Sequence, residues 1–256
     1  TVNRLNYIED RKAHPEIAQE NIIAPVVVVG MPRTGSTILH DILAQDPDSR
    51  APLTWETMFP SPPPEPETFE NDPRIEACDA TFPGVDLQIP AFKAMHPMGA
   101  RLSQECVTTM ADTMVSPLFH NQFRVPSYQD WVDHEADYEK VYEFHEWQLQ
   151  HLGWKVMRDR WVLKTGAHMW GLEHLLARYP DARIVFTHRD PLKVLPSVVS
   201  ILYSTAYVRS DQVDAEAMAN WFTGETCKML LDGMTSLRAS GRLPESQCYD
   251  LRYAEL

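Results

Sequence analysis

The chain is short of cysteine, of long apolar runs and of positive charge, and each shortage removes a class of protein. Its four cysteines, Cys78, Cys106, Cys227 and Cys248, lie far apart in 256 residues and form no Cys-x-x-Cys pair. A disulfide scaffold or a zinc ribbon needs closer, paired spacing, so these read as reduced, packed thiols of a cytoplasmic protein with no metal site. The longest plain apolar run, Val26-Val27-Val28-Val29, falls far below the roughly 20 residues of a membrane span. The charge scattered through residues 1–20 is not that of a signal peptide, so neither a leader nor stable membrane insertion is expected. Lys and Arg number 23 against 36 Asp and Glu, a net charge of −13. That balance argues against a nucleic-acid or membrane-surface binder, which shows a basic face. It remains compatible with an anionic small ligand, because a pocket needs only a few cations.

What is present is the composition of a globular protein, 44% hydrophobic and 23% charged. A chain of this size can bury roughly 70–75% of its unfolded surface, enough to hold a core without metals or disulfides. Residues 1–24 read as a polar, helical lead-in. The four valines after Pro25 do not alternate with polar residues, which marks a strand buried on both faces, as in a parallel sheet. Ile38, Leu39, Ile42 and Leu43 then fall at helical spacing, and Asp46-Pro47-Asp48 closes that helix. Residues 60–66, with five prolines in seven, read as a stiff extended surface connection rather than a helix or strand.

From 67 to about 154 the chain is rich in aromatics, Met and short helical patterns, with one long amphipathic helix around Tyr138–Leu149. This stretch reads as a helical insertion that covers the core as a substrate lid. Strand and helix then alternate again: Trp161–Lys164, a helix around Trp170–Arg178, a strand over 182–188, a helix opened by Asp190-Pro191, one long helix over 214–238, and a last strand at Cys248–Tyr253. The expected fold is α/β, a P-loop-like parallel β-sheet flanked by helices. It forms one domain over 1–256, with its core at about 26–60 and 155–256.

The sharpest local signal is Gly30-Met31-Pro32-Arg33-Thr34-Gly35-Ser36-Thr37, between the valine strand and the next helix. Backbone N–H groups at such a helix start point at a phosphate, and the helix dipole favours its charge. Gly35 allows close backbone approach, and Ser36 and Thr37 add hydroxyls. The spacing is that of a Walker A loop with one departure. Ser36 stands where the lysine belongs, and the positive charge lies three residues back at Arg33. A kinase or ATPase needs that lysine on the β/γ-phosphates, so a P-loop small-molecule kinase is the second reading.

Pro32-Arg33-Thr34-Gly35-Ser36-Thr37 resembles the 5′-phosphosulfate loop of the sulfotransferases. These enzymes move the sulfuryl group of 3′-phosphoadenosine 5′-phosphosulfate (PAPS) to an alcohol, phenol or amine. The Arg form, with Asp46–Arg50 after the helix, is similar to the bacterial branch that also resembles tyrosylprotein sulfotransferases. Arg189 at a strand end and Ser197 in the following helix match the family's 3′-phosphate pair. Trp161-Val162-Leu163-Lys164 resembles its lysine-bearing strand, and Tyr253-Ala254-Glu255-Leu256 the segment near the 3′-phosphate. The position whose tryptophan stacks on adenine in cytosolic sulfotransferases is Ile38.

The resemblance implies PAPS as donor, no metal, and Arg33, Thr34, Gly35, Ser36, Thr37, Arg189, Ser197 and Tyr253 as nucleotide contacts. It implies Arg33 and Lys164 as the cations near the sulfuryl group. Two groups are candidates for the base: Glu56, similar to the Glu that follows the loop in the tyrosylprotein and bacterial enzymes, and His168, four residues after Lys164. Glu56 is the preferred one, expected at the loop's mouth beside Arg33. His145-Glu146 starts like a zinc motif, but position 149 is Leu, so His145 reads as an ordinary helix member. Met95, Met98, Met110 and Met114 either pack a core or line an apolar acceptor pocket. The aromatic and Met-rich insertion points to a small apolar acceptor such as a phenol, sterol or lipid-like alcohol. A non-catalytic adenosine-bisphosphate binding module is the remaining alternative.

Overall fold

The computed structural model describes residues 2–123 and 125–256. Among them five strands form one parallel sheet in the order β2-β3-β1-β4-β5: β1 (Val26–Gly30), β2 (Ser49–Arg50), β3 (Arg160–Lys164), β4 (Arg183–His188) and β5 (Cys248–Arg252). The unbroken valines put β1 at the centre, where Val27, Val28 and Val29 are wholly buried. Val28 lies opposite Lys164 on one side and Val185 on the other. The chain leaves β1 toward β2 and β3 on one flank and returns to β4 and β5 on the other. The C-terminal ends of β1, β3 and β4 therefore border one crevice, the place where open α/β sheets bind ligands. β2 was not expected, and its two residues are too few to leave a periodic signal.

The lead-in is helix α1 (Val2–Ala13), followed by a short 3₁₀ turn, Pro15–Gln19. Helix α2 (Ser36–Ala44) follows the β1 loop, and α3 (Thr54–Met58) follows β2. The helix expected around Tyr138–Leu149 runs Tyr138–Gly153, and one face of it is built into the main core. Its Val141, Tyr142, Leu149 and Leu152 join Val27, Leu163 and Ile184 in the main core. It packs on the helix His168–Arg178, whose Gly171 makes room: a Cβ there would stand 2.5 Å from the Tyr138 ring. Ile75, Cys78 and Ala100 of the insertion form a second small cluster with Trp55 of α3.

Two further expectations change. The single helix over 214–238 is two, Ala215–Trp221 and Gly224–Ala239. Thr223 starts the second, its hydroxyl accepting from the Thr226 amide. The proline-rich stretch is extended, but it is not a free surface tie. Pro60, Pro63 and Pro64 are buried, and the Pro60 carbonyl accepts from His151 Nε2 at 2.9 Å.

Candidate active site

The loop from β1 to α2 is built by two left-handed residues, Arg33 (φ +67°) and Gly35 (φ +89°), with Gly35 as the residue before the first turn of α2. Gly30 lets the loop lie against β4, since a Cβ there would meet Thr187 Oγ1 at 2.5 Å and its carbonyl at 2.7 Å. The Thr34 hydroxyl donates to the Met31 carbonyl and accepts from Thr187, both at 2.6 Å. Thr34 is buried, so its side chain closes the loop from beneath. The expected nucleotide contact of Thr34 is thus left to its backbone amide, since its hydroxyl is occupied within the loop. His40 clamps α2 to β3 by donating to the Val162 carbonyl at 3.0 Å. Burial pushes the His40 pKa down to about 4, so the ring is neutral near pH 7.

Four of the expected residues converge on this loop. Arg33 donates from Nε to Ser197 Oγ at 3.0 Å and from Nη1 to the Met95 carbonyl at 2.8 Å. Arg189 donates to the Arg33 carbonyl at 2.8 Å, and its guanidinium lies 4.0 Å over the Tyr253 ring. Tyr253 in turn seats against Gly35, where a Cβ would come within 3.0 Å of its ring. Asp190 caps the helix Pro191–Ala206 by accepting from the Leu192 amide, which fixes the direction of the helix that carries Ser197. Lys164, at the end of β3, donates to Thr37 Oγ1 at 2.9 Å. Ser36, mostly buried, forms the first turn of α2.

The two expected bases are not at this mouth. Glu56 is fully buried, one oxygen bonded to the Arg50 guanidinium and the other accepting from the Leu53 amide at 2.9 Å. Burial raises its pKa, with Arg50 and the Leu53 amide opposing. Glu56 therefore joins β2 to the start of α3 rather than standing beside Arg33. His168 is also wholly buried, its Nδ1 bonded to the Tyr142 hydroxyl at 2.8 Å. Burial holds its pKa well below the ordinary value. His145 pairs with Tyr179 in the same buried group, as an ordinary helix residue does.

Sequence reading missed Glu105. This residue ends the link before the short helix Cys106–Met110, and its Oε1 is bonded to the Lys164 ammonium, with His96 Nε2 at 3.5 Å. Burial alone would raise its pKa, but the Lys164 charge and His96 outweigh that and lower it. Two residues before Glu105, Ser103 lines a cleft of about 820 Å³ whose walls mix Leu53, Phe69 and Leu102 with the charged Asp41, Arg50 and Arg158. Burial raises the Asp41 pKa, while the Lys164 charge acts against it, which puts cleft and ammonium within electrostatic reach. Of the four singled-out methionines, Met110 is core, Met98 and Met114 are exposed, and Met95 covers the loop through its backbone.

This arrangement fits an anionic nucleotide donor. The loop has positive φ at its turns, a helix start, and the cations Arg33, Arg189 and Lys164 around it. Among the described residues no cluster of His, Cys, Asp or Glu is arranged to hold a metal, and no helix is long and apolar enough to cross a membrane.

A family model described as "Sulfotransferase family" matches residues 25–256. A curated relative, omega-hydroxy-beta-dihydromenaquinone-9 sulfotransferase Stf3 of Mycobacterium bovis, is 27% identical over 194 residues, 71% of this chain and 46% of the relative. The protein of that name in Mycobacterium tuberculosis matches equally. The chain thus spans about half the length of these relatives. The crystal structure of sulfotransferase STF1 from Mycobacterium tuberculosis superposes with a TM-score of 0.85 at 31% identity, covering 98% of this chain and 68% of that one. Sulfotransferase STF9 from Mycobacterium avium gives 0.83 at 27% identity, covering 99% of this chain and 64% of that one.

Proposed function

The chain belongs to the sulfotransferase family, and we propose that it transfers the sulfuryl group of PAPS to the hydroxyl of a lipid-like or otherwise apolar alcohol. The observation that carries this reading is the Arg33 loop. An arginine three residues before the Walker lysine position carries the charge, and it is tied to Ser197 and, through its carbonyl, to Arg189. That gives the loop a second anion site beside the first, as a donor with both a 5′-phosphosulfate and a 3′-phosphate demands. The α2 amides, Ser36, Thr37 and Arg33 would hold the 5′ end. Arg189 and Ser197, with Tyr253 beneath, would hold the 3′-phosphate.

The donor supplies an activated sulfuryl group. Lys164 stands where an ammonium can offset charge that grows on the leaving phosphate oxygen. The crevice aligns the acceptor oxygen with the bond to be broken and excludes water. The acceptor preference rests on the cleft lined by Ser103 and by Asp41 of α2, where Leu53, Phe69 and Leu102 offer apolar walls. The curated relatives are named for a hydroxylated menaquinone, an acceptor of that class.

The test is transfer from labelled PAPS to a panel of hydroxylated isoprenoids, sterols, phenols and sugars, read by mass, with calorimetric binding of 3′,5′-ADP alongside. Apolar alcohols are the expected acceptors. Magnesium-dependent ATP turnover without PAPS dependence would instead make the protein a kinase. Nucleotide binding with no transfer to any acceptor would make it a binding module.

A further inference from the structure

We propose that Glu105 is the general base that takes the acceptor's proton, and that Lys164 restrains it until the donor is bound. This inference rests on the sulfotransferase reading above. Both protein contacts of the Glu105 carboxylate fall on Oε1, from Lys164 and His96. Its Oε2 has no hydrogen-bond partner among the described residues, and the side chain is 22% exposed. Glu56 presents the opposite case, with both oxygens occupied and no exposure. A general base must come within hydrogen-bond reach of the proton it removes, and Glu105 offers an unbonded oxygen next to Lys164, which itself reaches Thr37 at the loop.

The backbone around Glu105 is built to hold it there. Ser103 pairs with Leu53 in an antiparallel bridge, and the Gln104 amide donates to the Pro52 carbonyl at 2.7 Å. Leu53 is itself capped by Glu56, whose other oxygen takes Arg50 at the end of β2. Glu56 thus acts as a positioning residue: it fixes Leu53, and Leu53 with Pro52 fixes the link that ends in Glu105.

The charged and titratable groups around Glu105 are Lys164 on β3, His96 in the insertion, His40 and Asp41 on α2, and the neighbouring Cys106 with the buried His168. Lys164 is the strongest of these and holds the carboxylate ionised but occupied. Anionic phosphosulfate bound at the loop draws the ammonium toward itself. Glu105 then loses its countercharge, and its proton affinity rises. The Oε2 carboxylate takes the hydroxyl proton as the acceptor oxygen forms its bond to sulfur. The bond from sulfur to the 5′-phosphate oxygen breaks, and its electron pair leaves on the phosphate of 3′,5′-ADP. No redox change occurs, and His96, partly exposed, offers the proton a way to solvent.

Glu105→Gln removes the base and keeps the shape. With the best acceptor found for the wild type, kcat is expected to fall roughly 10²–10⁴-fold. The acidic limb of its pH profile should flatten. 3′,5′-ADP should bind at least as tightly as before, because Lys164 is no longer shared, and the rise in melting temperature on adding 3′,5′-ADP should grow. If Glu105→Gln does not fold without nucleotide, Glu105→Asp carries the test, since it keeps the charge and withdraws the oxygen by about one bond length. Its kcat should fall at least tenfold with 3′,5′-ADP affinity unchanged.

A fully active variant, or a parallel loss of kcat and nucleotide affinity, overturns the assignment. So does a folded Glu56→Gln that loses kcat while Glu105→Gln keeps it. A wild type that neither binds 3′,5′-ADP nor transfers sulfate refutes the sulfotransferase reading itself, a different outcome from a wild type that works and a Glu105→Gln that works as well.

Discussion

Replacing Arg189 by alanine isolates the group proposed to distinguish PAPS from adenosine 5′-phosphosulfate. Arg189 donates to the Arg33 carbonyl at 2.8 Å and stacks 4.0 Å over Tyr253. Those contacts position it, and their loss should affect any nucleotide by a similar small factor. The cation–π contact at such a partly open place is worth about 0.5–1 kcal/mol. The 3′-phosphate would add a charge-assisted hydrogen bond of about 1.5–3 kcal/mol, or roughly tenfold to 150-fold in affinity. Calorimetry of 3′,5′-ADP and 5′-AMP on wild type and Arg189→Ala therefore gives a ratio of ratios. 3′,5′-ADP should lose roughly tenfold to 150-fold, and 5′-AMP only a few-fold. Arg189→Lys should fall between, since it keeps the charge and loses the planar fork. Equal losses for the two ligands would show that Arg189 only props the loop and that the 3′-phosphate lies elsewhere.

Three other outcomes follow from the packing. Gly30→Ala should cost about 1–3 kcal/mol in urea unfolding, because its Cβ would press on the Thr187 backbone and hydroxyl at 2.5–2.7 Å. Glu56→Gln should leave the Arg50 charge buried and poorly compensated, costing about 3–5 kcal/mol and lowering the melting temperature by on the order of 10 °C. His40 and His145 are both buried, with pKa pushed down to about 4, so the native state keeps them neutral while the unfolded chain protonates below its ordinary histidine value of 6.5. Their contribution is present in full above that value and is lost as pH falls toward about 4, by up to about 3 kcal/mol each. Unfolding free energy measured between pH 7 and pH 5 should drop, and the drop should shrink in His40→Asn.

The parts of the fold legible in the sequence were those with a local signature. Four valines without alternation gave the central strand, and the glycines and hydroxyls after them gave the loop. Asp190-Pro191 gave the start of the helix that carries Ser197. What stayed hidden depended on distant partners. The bond from Glu105 to Lys164 spans 59 residues, and in sequence Ser103-Gln104-Glu105 looks like any polar link before a helix. Glu56 was chosen by resemblance, but its burial depends on Arg50, six residues earlier and on a two-residue strand that no periodicity announces. The helix Tyr138–Gly153 is legible as a helix, but how deeply it enters the core is not. An amphipathic stripe shows that a face is buried and does not say against what.

The electrostatics of the mouth suit the proposed anionic donor in spite of a net charge of −13. Among the described residues Arg33 and Arg189 are held by neutral acceptors: the Ser197 hydroxyl and the Met95 and Arg33 carbonyls. Their charge stays unspent, and at a distance well within the Debye length of about 8 Å a bound phosphate feels it more than the acidic surface beyond. Lys164 differs, because a carboxylate already neutralises it. If all three cations were free, donor affinity would be highest, but Lys164 would then hold no carboxylate near the loop to serve as the proposed base. Pairing one cation with the proposed base trades part of the donor's affinity for coupling. On the proposed reading the carboxylate would be released only when a stronger anion occupied the loop, so the acceptor hydroxyl would meet an effective base only in the presence of the group it is to attack.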